Sequence, residues 1–337
     1  MSILLTGGTG YIGSHTAIVL IEAGFDVVLF DNFSNSHPDV INRIEKITSK
    51  KISFIRGDVR DTDFLSLTMK DFQIDSVIHF AGLKAVGESV SEPLKYFDCN
   101  VGGAISVLNA MHNNNINQLI FSSSATVYGD PKYVPIDESH PTSPTNPYGH
   151  TKLMIEEILK DLVVADPNFK IIALRYFNPV GAHNSGLIGE SPKGIPNNLL
   201  PYIADVAFGK LPNLSVFGCD YQTLDGTGIR DYIHVMDIAE GHLAALKFIS
   251  KNKGWNVFNL GTGEGKSVLE VIQAYSEINN VQVPYSIVER RPGDVASIYA
   301  SAANANNKLN WKAKRNLNEM CKSSWIWRVN LEKVKHD

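Results

Sequence analysis

The chain has 337 residues, which at roughly 150 residues per domain predicts about two structural units with a large buried core. Hydrophobic residues make up 44% and charged residues 20%, a balance that excludes an intrinsically disordered chain. The 31 Lys and Arg residues against 35 Asp and Glu residues give a formal net charge of −4. That charge excludes a global electrostatic attraction to nucleic acid or to an anionic membrane.

The cysteines and the apolar runs indicate the cellular setting. Cys99, Cys219 and Cys321 are far apart and lack a CxxC or His-bracketed spacing, so the sequence predicts free thiols and no metal site. No apolar run approaches the roughly 18 residues that span a bilayer. The first residues lack the basic start of a signal peptide and indicate a strand. We therefore expect a cytoplasmic protein with neither a nucleic acid nor a membrane partner.

Short apolar runs alternate with segments of helical periodicity from the start of the chain. The predicted strands are Ile3–Thr6, Val27–Phe30, Ile52–Arg56, Ser76–His79, Gln118–Ser122 and Ile171–Arg175. The segments with helical spacing between them include Ile12–Ala23, Asp61–Lys70 and Ser91–Met111. This alternation predicts an α/β fold with a doubly wound parallel sheet and a ligand site at the carboxyl ends of the strands.

The amino-acid composition changes in the second half, where Gly, Pro and Asn are frequent in residues 178–201. We expect a smaller C-terminal α/β lobe there and a ligand cleft between the two lobes. Asp231–Ile249 and Val257–Leu260 resemble a helix and a strand that could rejoin the first lobe. The predicted division is 1–176 with parts of 231–262 for the first domain, and mainly 177–337 for the smaller lobe.

A glycine-rich turn follows the first predicted strand. Gly7, Gly10 and Gly13 would let the backbone turn tightly, let a pyrophosphate approach the helix N-terminus and let the helix pack on the strand. The alternative is an ordinary turn between strand and helix. The preceding strand, the following helix and the acidic Asp31 at the end of the second strand favour a dinucleotide site.

Two aspartates bear on the choice of nucleotide. A carboxylate at Asp31 would accept hydrogen bonds from ribose hydroxyls and repel a 2′-phosphate, which predicts NAD over NADP. Its alternative role is to cap the turn beside Asn32 and Ser34. Asp58 closes the third strand, where it either meets the adenine edge or is an ordinary turn aspartate.

A second constellation joins the fifth strand to the helix that follows it. Asn146 suits a helix N-cap and Pro147 its first position, so Tyr148 and Lys152 would lie one turn apart on one face. A lysine ammonium near a phenol lowers the phenol pKa toward neutrality, and Ser124 could pass the proton or hold an oxyanion. The alternative for this spacing alone is a solvated helix face.

Long runs of sequence carry a resemblance to a known family. They are TGGTGYIGSHT at 6–16, VIHFAGLKAVGESV at 77–90, FSSSATVYGD at 121–130, RYFNPVGAH at 175–183, GIPNNL at 194–199 and DGTGIRDYIHVMD at 225–237. On these runs nearly the whole chain resembles the extended short-chain dehydrogenase/reductase family, and within it the UDP-hexose 4-epimerases. The resemblance implies a Rossmann fold, tightly bound NAD, a homodimer and the reversible interconversion of UDP-glucose and UDP-galactose at C4 in galactose metabolism.

The resemblance also implies the roles of individual residues. Tyr148 is then the catalytic base, Ser124 its hydrogen-bond partner, and Lys152 the residue that tunes it and binds the nicotinamide ribose. The implied NAD site contains these three together with Gly7, Gly10, Tyr11, Ile12, Gly13, Asp31, Asn32, Asn35, Ser36, Asp58, Val59, Phe80, Ala81, Gly82, Lys84 and Phe177. The implied UDP-sugar site contains Ser124, Tyr148, Asn178, Asn197, Asn198, Leu199, Phe217, Arg230, Arg291 and Asp294.

The arginines and two departures from the family pattern leave alternatives open. Arg230 and Arg291 suit bidentate pyrophosphate binding, although each could instead pair with a neighbouring Asp. Cys99 stands where the family commonly has Asn, so one polar contact to the cofactor is missing or is replaced by Asn100. The residue that gates the sugar pocket, a Tyr that excludes N-acetylated sugars or a small residue that admits them, aligns with Ile298.

Other activities are alternatives to C4 epimerisation of UDP-glucose. A 4,6-dehydratase needs an additional acid after the serine of the fifth strand, and this chain has Ala125 and Thr126 there. A simple alcohol dehydrogenase would release reduced cofactor, and a redox-silent NAD-binding sensor would lose the base or its lysine. An epimerase acting on N-acetylhexosamine derivatives is the remaining alternative. The single histidines, namely His79, His150, His183 and His234, are predicted to be structural.

Overall fold

Thirteen strands and twelve α-helices are defined in the computed structural model, which describes residues 1–192, 196, 198–291 and 294–333. The strands are β1 Ser2–Thr6, β2 Asp26–Asp31, β3 Ser53–Arg56, β4 Ser76–His79, β5 Gln118–Ser124, β6 Lys170–Tyr176, β7 Asn178–Val180, β8 Leu214–Phe217, β9 Ile229–His234, β10 Gly254–Leu260, β11 Gly265–Ser267, β12 Tyr285–Val288 and β13 Ser297–Ile298.

The helices alternate with these strands along the chain. They are α1 Tyr11–Glu22, α2 Asp39–Thr48, α3 Thr62–Asp71, α4 Val86–Ser91, α5 Pro93–Tyr96, α6 Gly103–Asn113, α7 Pro147–Ala165, α8 Leu199–Ala207, α9 Val235–Ile249, α10 Val268–Asn279, α11 Ala303–Leu309 and α12 Leu317–Lys333, with a π-helix at Phe97–Gly102 and a 3₁₀-helix at Ala125–Tyr128. Among the described residues, none of the helices has the length and apolar character needed to cross a bilayer.

The central sheet has seven parallel strands in the order β10-β6-β5-β4-β1-β2-β3. Both faces of this sheet are covered. In β1, Ile3 and Leu5 pack into one apolar cluster with residues of α1 and α9, whereas Leu4 packs into a second cluster with residues of α3, α6 and α7. Because successive side chains of a strand point to opposite faces, a strand buried on both sides needs an uninterrupted apolar run. The predicted α/β fold with a doubly wound parallel sheet is confirmed.

The second half of the chain builds smaller sheets and returns once to the large one. Strands β11, β9, β13 and β7 form one sheet, and β12 pairs with β8. Helices α8, α10 and α12 bury a third apolar cluster around Ile203 and Tyr275. Strand β10 pairs with β6 along its whole length, so the predicted strand at Val257–Leu260 does rejoin the large sheet.

Two predicted helices are wrong in extent. Ser91–Met111 is divided among α4, α5, the π-helix and α6, because Pro93 lacks the N–H that a continuous helix needs and starts α5 instead. Asp231–Ile249 begins as strand β9, and α9 starts only at Val235. There the His234 side chain accepts a hydrogen bond from the Met236 N–H and caps the new helix. Apolar periodicity cannot separate a buried strand from the helix that directly follows it.

Candidate functional site

The glycine-rich turn between β1 and α1 has no room for side chains. Gly7 has a φ of +67°, and a Cβ there would lie 2.7 Å from the Ala81 backbone nitrogen. A Cβ on Gly13 would lie 2.4 Å from the Gly7 carbonyl oxygen. Gly10 is the N-cap of α1, and Tyr11 and Ile12 begin the helix without a capping side chain or an acidic residue in the first turn. This open, electropositive helix end fits the pyrophosphate of a dinucleotide such as NAD.

Asp31 lies at the end of β2 beside this turn and is held by three hydrogen bonds. Its Oδ2 accepts from the Thr9 N–H at 3.1 Å, and its Oδ1 accepts from the Phe33 N–H at 2.9 Å and the Ser36 hydroxyl at 3.0 Å. Thr9 was not predicted, and its hydroxyl also lies 2.8 Å from that of Ser36. The signal that identifies Thr9 in the sequence is a small polar residue between two glycines of the loop. The carboxylate is thereby fixed at the mouth of the glycine turn.

Asp58 lies near Asn32, but its carboxylate is already engaged. Asn32 Nδ2 donates to Asp58 Oδ2 at 3.2 Å, and the Arg60 guanidinium donates to both carboxylate oxygens. Those hydrogen bonds from Arg60 hold the pKa of Asp58 well below its usual range. Arg60, two residues away in the same turn, was not predicted. Of the other predicted cofactor residues here, Val59 is buried and Asn35 is exposed.

The loop after β4 carries further predicted cofactor residues. Phe80, Ala81 and Gly82 continue from β4 against the glycine turn, and the Phe177 side chain is buried after β6. Lys84 donates a hydrogen bond to Glu190 Oε1 at 2.7 Å. Asn198 donates to the same oxygen at 2.6 Å, so Glu190 connects the two halves of the site. No spacing in the sequence marks Glu190, because its partner Lys84 is 106 residues away.

The predicted catalytic residues lie where β5 ends and α7 begins. Asn146 caps α7 by accepting from the Gly149 N–H at 2.9 Å, and Pro147 takes the first helical position, as predicted. Lys152 is buried, and its Nζ lies 5.8 Å from the centre of the Tyr148 ring. Ser124 ends β5, and its hydroxyl accepts from the Thr126 hydroxyl at 3.0 Å. The three predicted side chains are thus brought to one place.

The pKa of Tyr148 is shifted in the direction opposite to that predicted from its spacing to Lys152. Burial raises the pKa of Tyr148, and a hydrogen bond with Ser124 offsets this only in part. Burial also lowers the pKa of Lys152 to about 8. The pKa of Tyr148 is therefore raised in this structure, whereas the spacing to Lys152 predicts a lowered pKa, because loss of solvation outweighs the hydrogen bond with Ser124.

Asn100, the alternative to the missing asparagine at Cys99, is engaged in hydrogen bonds within the protein. The Asn100 amide is buried in the π-helix, where its Oδ1 accepts from the Leu83 N–H at 2.7 Å and its Nδ2 donates to the Leu83 carbonyl and to the Thr151 hydroxyl. These bonds tie the loop after β4 to α7. Cys99 is half-buried, and burial raises the pKa of its thiol.

The predicted substrate residues of the smaller lobe gather on β8, β9 and the segment before β13. Arg230 Nη1 donates to the Val295 carbonyl at 2.8 Å, and its Nη2 lies 3.5 Å from Asp294 Oδ1. The Arg291 guanidinium lies 3.8 Å from the centre of the Phe217 ring. Of the remaining predictions, Asn178 opens β7, Leu199 opens α8 with Asn198 as its N-cap, and Asn197 lies outside the described residues.

A cavity of about 550 Å³ is lined by residues from both halves of the chain, among them the predicted substrate residue Asp294. Asp130 and Thr145, which flank the catalytic segments in sequence, line one side. Tyr221, Arg290 and Asp294 are among the residues that line the other. The volume lies in the range of small-molecule sites.

Ile298 lies next to the catalytic segments. It packs on an apolar cluster that includes Ala125 and Phe177, and Leu153 packs on the same cluster. Its strand neighbour is Arg230 of β9. Tyr299 lies instead against Gly265, where a Cβ would be 3.2 Å from the Tyr299 ring.

The histidines that were predicted to be structural have local partners. Thr6 Oγ1 lies 2.6 Å from His79 Nδ1, and His183 Nδ1 lies 2.8 Å from the Ser185 hydroxyl. His150 is exposed on α7. In the described part of the chain, no group of three or more His, Cys, Asp or Glu residues could hold a metal ion.

Comparison with protein families and relatives places these features in context. The family described as GDP-mannose 4,6 dehydratase matches residues 4–324. A UDP-glucose 4-epimerase of Pasteurella multocida is 54% identical over 338 aligned positions, which cover 100% of both chains. A UDP-glucose 4-epimerase of Bacillus subtilis is 53% identical over 97% of this chain and 96% of the relative.

Solved structures agree with the sequence comparisons. The UDP-glucose 4-epimerase of Stenotrophomonas maltophila, crystallised with NAD and formylated UDP-arabinopyranose, matches with a TM-score of 0.98 at 48% identity over 99% of each chain. The UDP-glucose 4-epimerase of Bifidobacterium longum, in complex with NAD⁺ and UDP, matches with a TM-score of 0.95 at 52% identity over 98% of each chain.

Proposed function

The chain belongs to the extended short-chain dehydrogenase/reductase family, among the UDP-glucose 4-epimerases, and on this premise we propose how its own residues carry out the reaction. The reaction is the reversible interconversion of UDP-glucose and UDP-galactose at C4, and the cofactor is NAD. The observation that carries the proposal is the convergence of Ser124, Tyr148 and Lys152 where β5 ends and α7 begins.

Tyr148 is the acid and base of the reaction. Its phenolate oxygen takes the proton of the sugar 4-hydroxyl, and the phenol formed in this way later returns a proton to the 4-keto oxygen, so the proton count is unchanged over the cycle. Ser124, which hydrogen-bonds Tyr148, relays or stabilises that proton. The buried Lys152 favours the phenolate form of Tyr148 by its positive charge. When bound, NAD would supply the hydride-accepting chemistry at C4.

The residues of the smaller lobe anchor the nucleotide while the sugar turns. Arg230 and Arg291 supply two guanidinium groups for the pyrophosphate. Phe217, Asn178, Asn198 and Leu199 offer an aromatic face, side-chain amides and backbone groups to the uridine. A site that grips UDP tightly and the hexose loosely permits the keto sugar to rotate and receive hydride on its other face. We assign Asp294 to the same site because it adjoins Arg230.

NAD is held by the first domain. The glycine turn with Tyr11 and Ile12 takes the pyrophosphate, and Asp31 accepts from the adenosine ribose. The remaining proposed contacts are Asn32, Asn35, Ser36, Asp58, Val59, Phe80, Ala81, Gly82, Lys84 and Phe177. Residues 1–176 with parts of 231–262 form this NAD-binding half, and 177–337 mainly form the UDP-sugar-binding half. The return of β10 to the large sheet supports the division.

The environment of Ser124 argues against the dehydration chemistry for which the matching family is described. Elimination of water needs an acid that protonates the leaving hydroxyl. The two positions after Ser124 are Ala125 and Thr126, and the Thr126 hydroxyl donates to Ser124 itself. These positions therefore offer no carboxylic acid for elimination.

The active assembly is a homodimer in the cytoplasm. Apolar side chains are exposed on α4, α5 and α7, which pack side by side, namely Val90 at 64%, Leu94 at 82% and Met154 at 45% relative exposure. A second copy of the chain would cover them. The three cysteines are unpaired, which supports a reducing compartment.

Replacement of Tyr148 by Phe tests the mechanism. Tyr148→Phe removes the hydroxyl that moves the proton, so conversion of UDP-galactose falls by at least about 100-fold. NAD released on denaturation stays at the wild-type amount. Tyr285→Phe, on the exposed strand β12, is the matched control and keeps full activity. Near-normal turnover by Tyr148→Phe would contradict the assignment.

A further inference from the structure

A buried ion pair lies behind the catalytic residues. Glu156 on α7 and Arg175 at the end of β6 are 0% and 3% exposed. Arg175 Nε donates to Glu156 Oε1 at 2.9 Å, and its Nη2 donates to Oε2 at 2.5 Å. The Ser123 hydroxyl donates to Oε1 at 2.6 Å. The carboxylate thus accepts three hydrogen bonds from two neighbouring strands.

The pair meets the strands directly beside the catalytic serine. In the parallel register of β5 and β6, Ser123 lies opposite Arg175. Ser124 is the next residue of β5. Glu156 therefore holds α7 against both strands one residue before the point where Ser124 leaves the sheet.

The same helix face carries the catalytic pair. Tyr148, Lys152 and Glu156 are spaced by four residues, so they lie on one face of α7 and rise by about 6 Å per step. Any shift of α7 along the sheet would move Tyr148 and Lys152 relative to Ser124. The bonds from Glu156 to Ser123 and Arg175 oppose that shift.

Arg175 is in turn held by groups beyond α7. Its Nη1 donates to the Tyr128 hydroxyl at 3.0 Å, and Tyr128 donates to Asn259 Oδ1 at 2.6 Å. Asn259 Nδ2 donates to the Ile136 carbonyl at 2.9 Å. This network connects the 3₁₀-helix after β5, strand β10 and the loop that precedes α7, so the position of Arg175 does not depend on Glu156 alone.

Glu156 also supplies the negative charge that faces Lys152 from its own helix. The other titratable groups around Lys152 are Tyr148 on α7, Cys99 on the π-helix and His79 at the end of β4. Burial, with Lys152 as a nearby cation, lowers the pKa of His79 to about 3, and burial raises the pKa of the Cys99 thiol, so both groups are uncharged at neutral pH. A buried ion pair is seldom retained for stability alone, since apolar replacements are often equally stable.

We propose that Glu156, held by Arg175 and Ser123, is a positioning residue for the epimerase reaction: it fixes Tyr148 and Lys152 opposite Ser124 and places a carboxylate one helical turn from Lys152. The proposal rests on the proposed function of those three residues. It assigns Glu156 no contact with substrate or cofactor.

The first test replaces Glu156 by Gln, which preserves the size of the side chain and removes its charge. We expect the alkaline limb of the kcat profile to move about one unit to lower pH, because the Lys152 ammonium loses a stabilising charge. At about pH 8 kcat then falls about fivefold, while KM for UDP-galactose is unchanged. Glu157→Gln is the matched control, since Glu157 is the next residue of α7, is exposed and pairs with Lys160.

A second variant keeps the test valid if Glu156→Gln fails to fold because Arg175 has lost its ion-pair partner. The double variant Glu156→Leu with Arg175→Met replaces the pair by apolar groups of similar size. We expect it to fold and to retain NAD but to have a lower kcat and a smaller shift of the alkaline limb, because the Arg175 cation is removed together with the carboxylate. A double variant with the wild-type kcat and pH profile would overturn the proposal.

The outcomes separate this inference from the proposed function. If the wild-type protein does not convert UDP-galactose, the proposed function fails. If the wild type is active and Glu156→Gln has an unmoved pH profile, only the positioning role fails. A parallel fall of kcat and folded fraction without a pH shift would show a merely structural role and would also overturn it.

Discussion

The ammonium nitrogen of Lys152 donates a hydrogen bond to the backbone carbonyl oxygen of Ser122 at 2.8 Å. Lys152 belongs to α7 and Ser122 to β5, so this bond joins the two elements that carry the proposed acid–base residues. The strand end fixes where the cation points. Tyr148, one turn earlier on α7, therefore lies near the positive charge of Lys152, whose position is fixed.

Lys152 therefore gives the first prediction. Lys152→Met keeps much of the apolar stem and removes the charge, so kcat for UDP-galactose falls by at least about 100-fold. In the wild type, activity declines as the pH rises through about 8, because the Lys152 ammonium loses its proton there. Steady-state kinetics across neutral and alkaline pH measures both effects. Lys160→Met on the exposed part of α7 is the control, and a Lys152→Met variant with wild-type kcat would refute the role.

Gly13 gives a prediction about cofactor retention. A Cβ at this position would lie 2.4 Å from the Gly7 carbonyl oxygen, so Gly13→Ala forces the glycine turn apart. We expect less NAD to be retained on purification and a destabilisation of about 1–3 kcal/mol in denaturant unfolding. Gly87→Ala, where a Cβ meets nothing within 4 Å, should change neither quantity. Unchanged NAD content in Gly13→Ala would speak against this turn as the pyrophosphate site.

Ile298 gives a prediction about sugar breadth. It packs on the cluster around Phe177 and Ala125, whereas Tyr299 lies against Gly265. Ile298→Tyr should lower kcat/KM for UDP-N-acetylgalactosamine relative to UDP-galactose by at least about tenfold, because added bulk narrows the pocket. Ile298→Gly should raise the same ratio. If instead Tyr299→Phe changes the ratio and Ile298→Tyr does not, the gate belongs to Tyr299.

Leu94 tests the proposed homodimer. Leu94→Glu places a charge at the most exposed apolar side chain of α5, so the equilibrium shifts toward monomer. Sedimentation equilibrium over a range of concentrations measures the change in mass. Leu67→Glu on α3, whose leucine is 52% exposed, is the comparison variant and should leave the mass unchanged. A monomeric wild type, or a Leu94→Glu variant that still dimerises, contradicts this interface.

Local signals made much of the site predictable. The glycine turn, the N-cap Asn146 and Pro147 each set the conformation of their own segment, and the structure has them as expected. The four-residue spacing of Tyr148 and Lys152 follows from helical geometry alone. Such features depend on neighbours in sequence, so the sequence displays them.

Contacts between distant segments were not predictable in the same way. Glu156 and Arg175 each look like an ordinary charged residue until α7 and β6 pack together. Glu190 accepts a hydrogen bond from Lys84, which is 106 residues away in sequence. The Asn100 amide forms hydrogen bonds with Leu83 and Thr151. Pro93 is a signal for a helix break, but the apolar periodicity continues on both sides of it, so the spacing predicts one helix.

The most direct test of the account is to incubate the purified protein with UDP-galactose without added NAD. UDP-glucose formation is followed, and the NAD released on denaturation is assayed. We expect conversion with about one retained NAD per chain and no net reduction of the cofactor. Absence of conversion, even with NAD supplied, would contradict the assignment of Ser124, Tyr148 and Lys152 to a UDP-glucose 4-epimerase reaction.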